Sequence, residues 1–363
     1  MRNILLLTLL TGNGGIASWS RKFVKTFCYV NYHIFPVDRV VKGRKFEENS
    51  LKSRLVAGYF ELKKIRKEVK KTIVNENIDI LHTTTSGSIG TFRDYVIAKI
   101  CKKYHIKSIM HCHYGCISED LERPAVGWFL KKTMCLYDQI WVLDRRSEKK
   151  LKSYSPLANK VFLTPNSIQA LSDVVIYPSE YKKIAFIGNL IPSKGLMELV
   201  EAICEIDEKV CLYIVGDGDE EVISKIKSLA GQNIGKRIFL KGRLSNEDAI
   251  RFMQSVDILA LPTYYPWEAF PISILEAMSL GKLVLSTNRA AIGDMLTNSD
   301  GQRCGLIVRE KSVDDIVEKI KWVLNHKKEA DQIRRLGYEK VYREYRTDVV
   351  YTLYKNLYEK LFD

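Results

Sequence analysis

Glu268 and Glu276 are the two residues whose type and spacing most invite chemistry. They stand in Tyr264-Tyr265-Pro266-Trp267-Glu268-Ala269-Phe270-Pro271-Ile272-Ser273-Ile274-Leu275-Glu276-Ala277-Met278-Ser279-Leu280-Gly281. The first falls in a loop after an apolar run. The second falls near the start of a helix that Pro271 helps to open, because proline is tolerated where a helix begins. Loop and helix thereby aim two carboxylates at one cleft. Carboxylates accept strongly from hydroxyl groups, so the pair suits a hydroxyl-rich ligand such as the ribose and sugar of a sugar nucleotide. Taken singly, Glu268 reads as a cap and Glu276 as a surface residue; the joint spacing argues against that.

Glycine-bearing turns after apolar runs could hold the phosphates of such a ligand. In Gly188-Asn189-Leu190-Ile191-Pro192-Ser193-Lys194-Gly195 a lysine stands where a helix begins at Leu196, next to a glycine that admits close backbone approach. Gly216-Asp217-Gly218-Asp219 ends another run, at the strand end where open α/β sheets bind ligands. Its Asp217-Gly218-Asp219 also has the form of a DxD metal motif, a reading we set aside because a metal-dependent fold would not need the second α/β unit. Thr11-Gly12-Asn13-Gly14-Gly15-Ile16-Ala17 precedes a helical pattern whose free amides favour an anion. The same string fits Gly-x-Gly-x-x-Ala, and Asp38 lies where a ribose-binding acid would stand, so an NAD(P)-dependent oxidoreductase is the rival reading. It leaves the second set of motifs unexplained. His111-Cys112-His113-Tyr114-Gly115-Cys116 looks like a metal cluster, but neighbours on an extended chain point to opposite faces and do not converge on one ion. No metal and no cofactor is expected.

These residues need elements to position them. Apolar runs at 4–10, 31–37, 78–82, 108–111, 139–143 and 160–163 alternate with helical patterns, and the alternation restarts at 183–187, 210–215, 237–240, 258–261, 283–286 and 305–308. Strands separated by helices predict parallel sheets covered on both faces. Two doubly wound units in tandem follow. The segment 164–180, with Pro165, Asn166, Ser167, Pro178 and Ser179, has the composition of a connection. A domain of residues 1–165 and another of 166–345 are therefore expected. Val350, Leu353, Tyr354, Leu357, Tyr358 and Leu361 give the last stretch a wide apolar face that must dock on something.

Composition narrows the setting. The chain of 363 residues is 46% hydrophobic, enough for two cores. No run reaches the roughly 20 apolar residues of a spanning helix. The apolar opening could pass for a signal peptide, but glycine-rich sequence follows in place of a cleavage site, so a buried first strand is expected. The eight cysteines form no repeated CxxC pair and read as reduced thiols of a cytoplasmic protein. The net charge of +14 lies wholly in residues 1–180, with 30 basic and 16 acidic residues against 27 and 27 in 181–363. A one-sided anionic partner follows. The densest stretch, 42–71, has 11 basic and 4 acidic residues, with Leu51, Leu55, Val56, Tyr59, Leu62 and Ile65 at helical spacing. It reads as a basic amphipathic helix against an anionic membrane surface, with packing on its own domain as the alternative. Nucleic acid, which charge alone would suggest, is not the expected partner because it leaves the acidic pair unused.

Glu268 to Gly281, EAFPISILEAMSLG, resembles the hallmark of the retaining glycosyltransferases of family four, written roughly E-G-F-P-x-x-x-x-E-A-M-A-x-G. The resemblance extends to Gly14-Gly15, Pro165-Asn166, Gly188 with Lys194-Gly195, Val215-Gly216-Asp217-Gly218 and Gly242-Arg243-Leu244, and so spans both domains. It implies the GT-B fold, in which two Rossmann-like domains face a central cleft and the helix at 346–363 packs back on the first. It further implies a nucleoside diphosphate sugar, a UDP-sugar first, held by the second domain, and a saccharide acceptor, lipid-linked in cell-surface polysaccharide assembly, held by the first. Glu276 would hold the ribose, Glu268 the donor sugar, and Ala269, Phe270 and Pro271 the sugar or phosphate. Lys194 would neutralise the diphosphate among Gly14, Gly15, Gly188, Asn189, Gly216 and Asp217. Arg243 and Leu244 would line the base pocket. His113, preferred over His111, would lie near the reacting sugar, with His82 a further acceptor-side candidate. The implied catalytic set is His113, Lys194 and Glu268, and the implied place is the cytoplasmic face of the membrane. Asn189 stands where many members have an arginine, Ala269 replaces a glycine, and Lys282-Leu283 replaces a small-residue-proline step; these departures bear on donor identity.

Overall fold

All twelve apolar runs form strands. In the first half they are β1 (Arg2–Thr8), β2 (Tyr32–Asp38), β3 (Ile80–Thr85), β4 (Lys107–Cys112), β5 (Gln139–Val142) and β6 (Val161–Leu163). In the second they are β7 (Lys183–Ile187), β8 (Cys211–Val215), β9 (Ile238–Gly242), β10 (Ile258–Leu261), β11 (Leu283–Ser286) and β12 (Leu306–Ile307). The computed structural model describes residues 1–12, 14–27, 29, 31–39, 51–87, 90–169, 171, 180–206 and 209–363, with side chains of the helix Leu51–Asn75 described from residue 58 onward. Asn13 of the glycine loop, positions 42–50 of the basic stretch and Pro178 and Ser179 of the connection lie outside the described residues.

Each set of six strands makes one parallel sheet. The orders are β2-β1-β3-β4-β5-β6 and β12-β11-β10-β7-β8-β9. The direction in which strands are added reverses between β1 and β3 in one sheet and between β7 and β10 in the other. An open α/β sheet has its ligand crevice at such a point, outside the carboxyl ends of the strands.

The chain forms two compact units, Met1–Thr164 with Leu353–Asp363, and Pro165–Thr352. The apolar runs are near-continuous because both faces of each sheet are covered. In the first unit Leu5, Leu7 and Leu81 pack against Ile65, Val69 and Ile73 of the helix Leu51–Asn75 and Ile97 and Cys101 of the helix Gly90–Tyr104. The opposite face takes Trp19 and Phe23 of the helix Gly15–Thr26 and Tyr354 and Tyr358 of the last helix.

The buried stripe of Leu51–Asn75 is Ile65, Val69 and Ile73, whereas Tyr59, expected on the apolar face, is 65% exposed. The helix docks on its own unit through its C-terminal half, where the sheet lies beneath it. The last helix, Thr347–Glu359, is divided at residue 352, and the first unit receives Leu353–Asp363. Its first turn stays with the second unit because Ile168 donates to the Tyr345 carbonyl and Thr347 donates to that of Ile168. Among the described residues no helix is long and apolar enough to cross a membrane.

Candidate active site

Parallel pairing of β10 with β7 sets the second unit's site, because it brings the loops that follow these strands side by side at the switch point. The lysine turn, 188–195, leaves β7, and the acidic loop, 262–271, leaves β10. Tyr264 N–H donates to the Ser193 carbonyl at 2.8 Å. Gly195 has φ of +75° and lies so close to the Pro262 carbonyl that a Cβ there would collide with it. Only glycine fits both conditions, and it lets the helix Leu196–Glu205 begin directly beneath the acidic loop.

The charged pair formed by this juxtaposition is Lys194 Nζ to Glu268 Oε2, at 3.4 Å, with side chains 17% and 11% exposed. Glu268 Oε2 is buried and receives no hydrogen bond, although it faces the ammonium. A buried acceptor without a donor is costly and suits a ligand hydroxyl. The ammonium also lies over Gly188, 3.8 Å from where a Cβ would stand. Tyr265 covers it from the side, its ring centroid 6.0 Å away.

The neighbouring loops complete a rim. β8 is followed by Gly216, whose missing side chain lets the backbone approach the Gly188 carbonyl, and Leu190 N–H donates to the Asp217 carbonyl at 2.8 Å. Asn189 and Asp217 are exposed there, and the Asp217 side chain accepts from Gly218 N–H. Gly216 N–H donates to the Gly242 carbonyl, which brings exposed Arg243 and half-buried Leu244 beside the same loops. On the other flank, Ala291 N–H donates to the Ala269 carbonyl at 3.1 Å. Phe270 and Pro271 are buried, the Phe270 ring meets Tyr345 at 5.6 Å, and the Phe270 carbonyl accepts from Asn166 Nδ2 at 3.4 Å. Glu276 sits half-buried in the second turn of the helix Ile272–Ser279, one turn further in than the expected helix start. Lys282, at the departure from the family pattern, is buried and donates to the Gln254 carbonyl; burial lowers its pKa.

The first unit gathers its own candidates along β3 and β4, with His82 in the middle of β3, His111 near the end of β4 and His113 just beyond it. His82, His111 and His113 lie on the sheet face covered by Trp19, with His111 and His113 ring centroids 4.0 Å apart and His113 to Trp19 4.7 Å. Cys112, between them in sequence, points into the opposite core with Met110, as alternation along a strand requires. His82 and His111 are fully buried. His82 Nδ1 pairs with Tyr358 Oη at 2.6 Å and its Nε2 with His111 Nδ1 at 3.2 Å. Expected on the acceptor side, both have their ring nitrogens engaged inside the unit, His111 Nε2 with Thr164 Oγ1 at 3.5 Å. His113 is 8% exposed, and its Nε2 is buried without a partner. Burial pushes the pKa of His82 and of His113 down to about 3 and that of His111 well below its ordinary value. Tyr358, Trp19 and Trp141 of this cluster carry no motif, and only the apolar face of the last helix hinted at them.

The glycine loop after β1 is held from below. Arg21 Nη1 donates to the Leu10 and Gly12 carbonyls at 2.9 Å each. Gly14 and Gly15 are exposed, and a Cβ at either would meet nothing, so the space above the helix start is open to a ligand. Asp38 accepts from Leu10 N–H at 3.3 Å and Thr11 Oγ1 at 3.1 Å. The acid that a dinucleotide reading reserves for a ribose is thus engaged in bracing the loop. Among the described residues no three His, Cys, Asp or Glu side chains are grouped as metal ligands.

Two parallel six-stranded sheets, each with its strand order reversing at a switch point, define a two-unit α/β fold of the GT-B type. A profile described as Glycosyl transferases group 1 matches residues 159–340, half of the chain, and the chain belongs to that family. The uncharacterized glycosyltransferase MJ1178 of Methanocaldococcus jannaschii is 26% identical over 323 residues, covering 86% of this chain and 85% of that one. Over 145 residues, 40% of this chain and 36% of the other, it is 29% identical to the N,N'-diacetylbacillosaminyl-diphospho-undecaprenol alpha-1,3-N-acetylgalactosaminyltransferase of Campylobacter jejuni. The fold is shared with sucrose-phosphate synthase from Thermosynechococcus elongatus, with a TM-score of 0.78 at 17% identity over 100% of this chain and 99% of the other. It is shared also with Anabaena HepE in complex with UDP, with a TM-score of 0.73 at 14% identity over 99% and 100%. The protein is a glycosyltransferase, and the oxidoreductase reading gives way.

Proposed function

We propose that the protein moves a glycosyl unit from a nucleoside diphosphate sugar, a UDP-sugar first, to a lipid-linked saccharide acceptor during cell-surface polysaccharide assembly. Transfer proceeds with retention of configuration, as in family four, and without a metal. The observation that carries the reading is the Lys194–Glu268 pair at the switch point, with one buried carboxylate oxygen lacking a donor. A diphosphate arriving over Gly188 takes up the Lys194 charge, and the donor sugar supplies Glu268 with the missing hydroxyl. Glu276 accepts from the ribose. The bond from the anomeric carbon to the diphosphate oxygen breaks, and the bond from that carbon to the acceptor oxygen forms on the same face. The acceptor's proton passes to the leaving diphosphate. Catalysis then rests on charge stabilisation and positioning. With Asn189 in place of an arginine, Lys194 carries more of that load.

In support, the acceptor of the Campylobacter relative is by its name a diphospho-undecaprenol saccharide, and HepE was seen with UDP. The first unit takes the acceptor, near His113. Thermal stabilisation by a panel of nucleotides, nucleotide sugars and NADH tests the donor. Stabilisation by one nucleoside diphosphate family, lost in Glu276→Ala, is expected; stabilisation by NADH alone would refute it. The anomeric configuration of the product by NMR, and activity retained in EDTA, test retention and metal independence.

A further inference from the structure

Three helices cover one face of the first unit's sheet: Leu51–Asn75, Gly90–Tyr104 and Pro124–Met134. They lie side by side. The first two share a core with Leu5 and Leu81, and the last two are joined through Ala98, Leu130 and Met134 and by the rings of Tyr95 and Phe129, 5.6 Å apart.

Their outward surfaces have one composition. Opposite Ile65, Val69 and Ile73, the first helix presents Phe60, Lys63, Lys67, Lys71 and Val74, one stripe at helical spacing with Phe60 62% and Val74 60% exposed. Opposite Ile97 and Cys101, the second presents Phe92, 56% exposed, with Tyr95, Lys99 and Lys103. Opposite Leu130 and Met134, the third presents Trp128, 63% exposed, with Lys132 Nζ 4.7 Å from its ring centroid. Among the described residues, every aromatic side chain more than half exposed lies on these helices. They also hold 14 basic and 3 acidic residues, a net +11 of the chain's +14. The sheet's other face buries its aromatics.

Water-exposed aromatic rings are unfavourable on an isolated soluble surface and favourable at a bilayer interface, where lysine stems lie along apolar matter and their heads reach lipid phosphates. Nucleic acid would account for the charge but not for apolar Val74, nor for Phe60, Phe92 and Trp128 spread over three helices. We infer that this three-helix face docks the enzyme on an anionic lipid bilayer. The inference rests on the lipid-linked acceptor proposed above, for which a lipid surface is the place of work.

The test is co-sedimentation of the full chain with vesicles of phosphatidylglycerol and phosphatidylcholine in equal parts, and with vesicles of phosphatidylcholine alone. The variants are Lys63→Glu/Lys67→Glu for charge and Phe92→Ala/Trp128→Ala for the aromatic part. Lys225→Glu/Lys236→Glu, in the second unit, is the control, and the near-ultraviolet circular dichroism melt, which reports the buried aromatic cluster of the first unit, is read on each to show intact fold. Binding to the anionic vesicles is expected to weaken by about tenfold or more in the charge variant and severalfold in the aromatic one, with the control unchanged. Binding equal for both vesicle types, undiminished in both variants, or confined to a labelled single-stranded DNA offered in parallel would overturn it. Failure to glycosylate any lipid-linked saccharide, with vesicle binding still governed by this face, would sink the acceptor reading and leave the docking face standing.

Discussion

At the scale of residues, the second unit places a lysine and a glutamate 3.4 Å apart in a nearly buried crevice. Removing one partner strands the other's charge. Lys194→Met is expected to cost about 1–3 kcal/mol of stability and to lower kcat/KM by about 100-fold, measured by chemical denaturation and by steady-state transfer. A purely structural lysine would lower stability with kcat/KM per folded molecule unchanged. The three buried histidines make a second prediction. Below pH about 6.5 an unfolded chain takes up protons at these rings, whereas folded His82 and His113 resist until about 3. Stability is therefore full above pH 6.5 and is lost as pH falls toward 3, by ~2 kcal/mol per histidine at about pH 5. Melting temperature against pH checks this, and a variant with His82→Gln should show a shallower fall.

At the scale of elements, the strand-to-helix turns matter most. Gly195→Ala would force a side chain into the Pro262 carbonyl at a φ of +75°. We expect about 1–3 kcal/mol of destabilisation and a weakened response to nucleotide, seen by calorimetry. The last helix is the other critical element. Tyr358→Phe leaves buried His82 Nδ1 without its 2.6 Å partner, at a cost of about 1–3 kcal/mol in a urea titration. All twelve strands and the acidic-pair helix were legible from apolar runs and Pro271, because those signals are local. The histidine cluster was legible only in part. His111 and His113 could be placed on one face by alternation, but their burial under Trp19 and Tyr358 comes from elements far apart in sequence.

At the scale of the whole molecule, the second unit is one continuous segment, whereas the first borrows its last eleven residues, Leu353–Asp363, from the far end of the chain. A fragment of residues 165–352 is expected to fold and be stabilised by the same nucleotide as the full chain. A fragment of residues 1–164 would leave Trp141 and His82 uncovered and is expected to be insoluble or molten, by near-ultraviolet circular dichroism. Folding of 1–164 alone with a sharp melting transition would contradict the role given to the last helix. By itself the sequence determined the two parallel-sheet units and membership of the group 1 glycosyl transferases, because periodicity and turn chemistry act within a few residues. It could not determine which of its motifs meet. That Lys194 faces Glu268 follows from β7 pairing with β10, that Asp38 braces a loop follows from β2 pairing with β1, and that His82 is engaged by Tyr358 follows from what the last helix covers. Strand order and packing are long-range choices, and only the tertiary structure makes them.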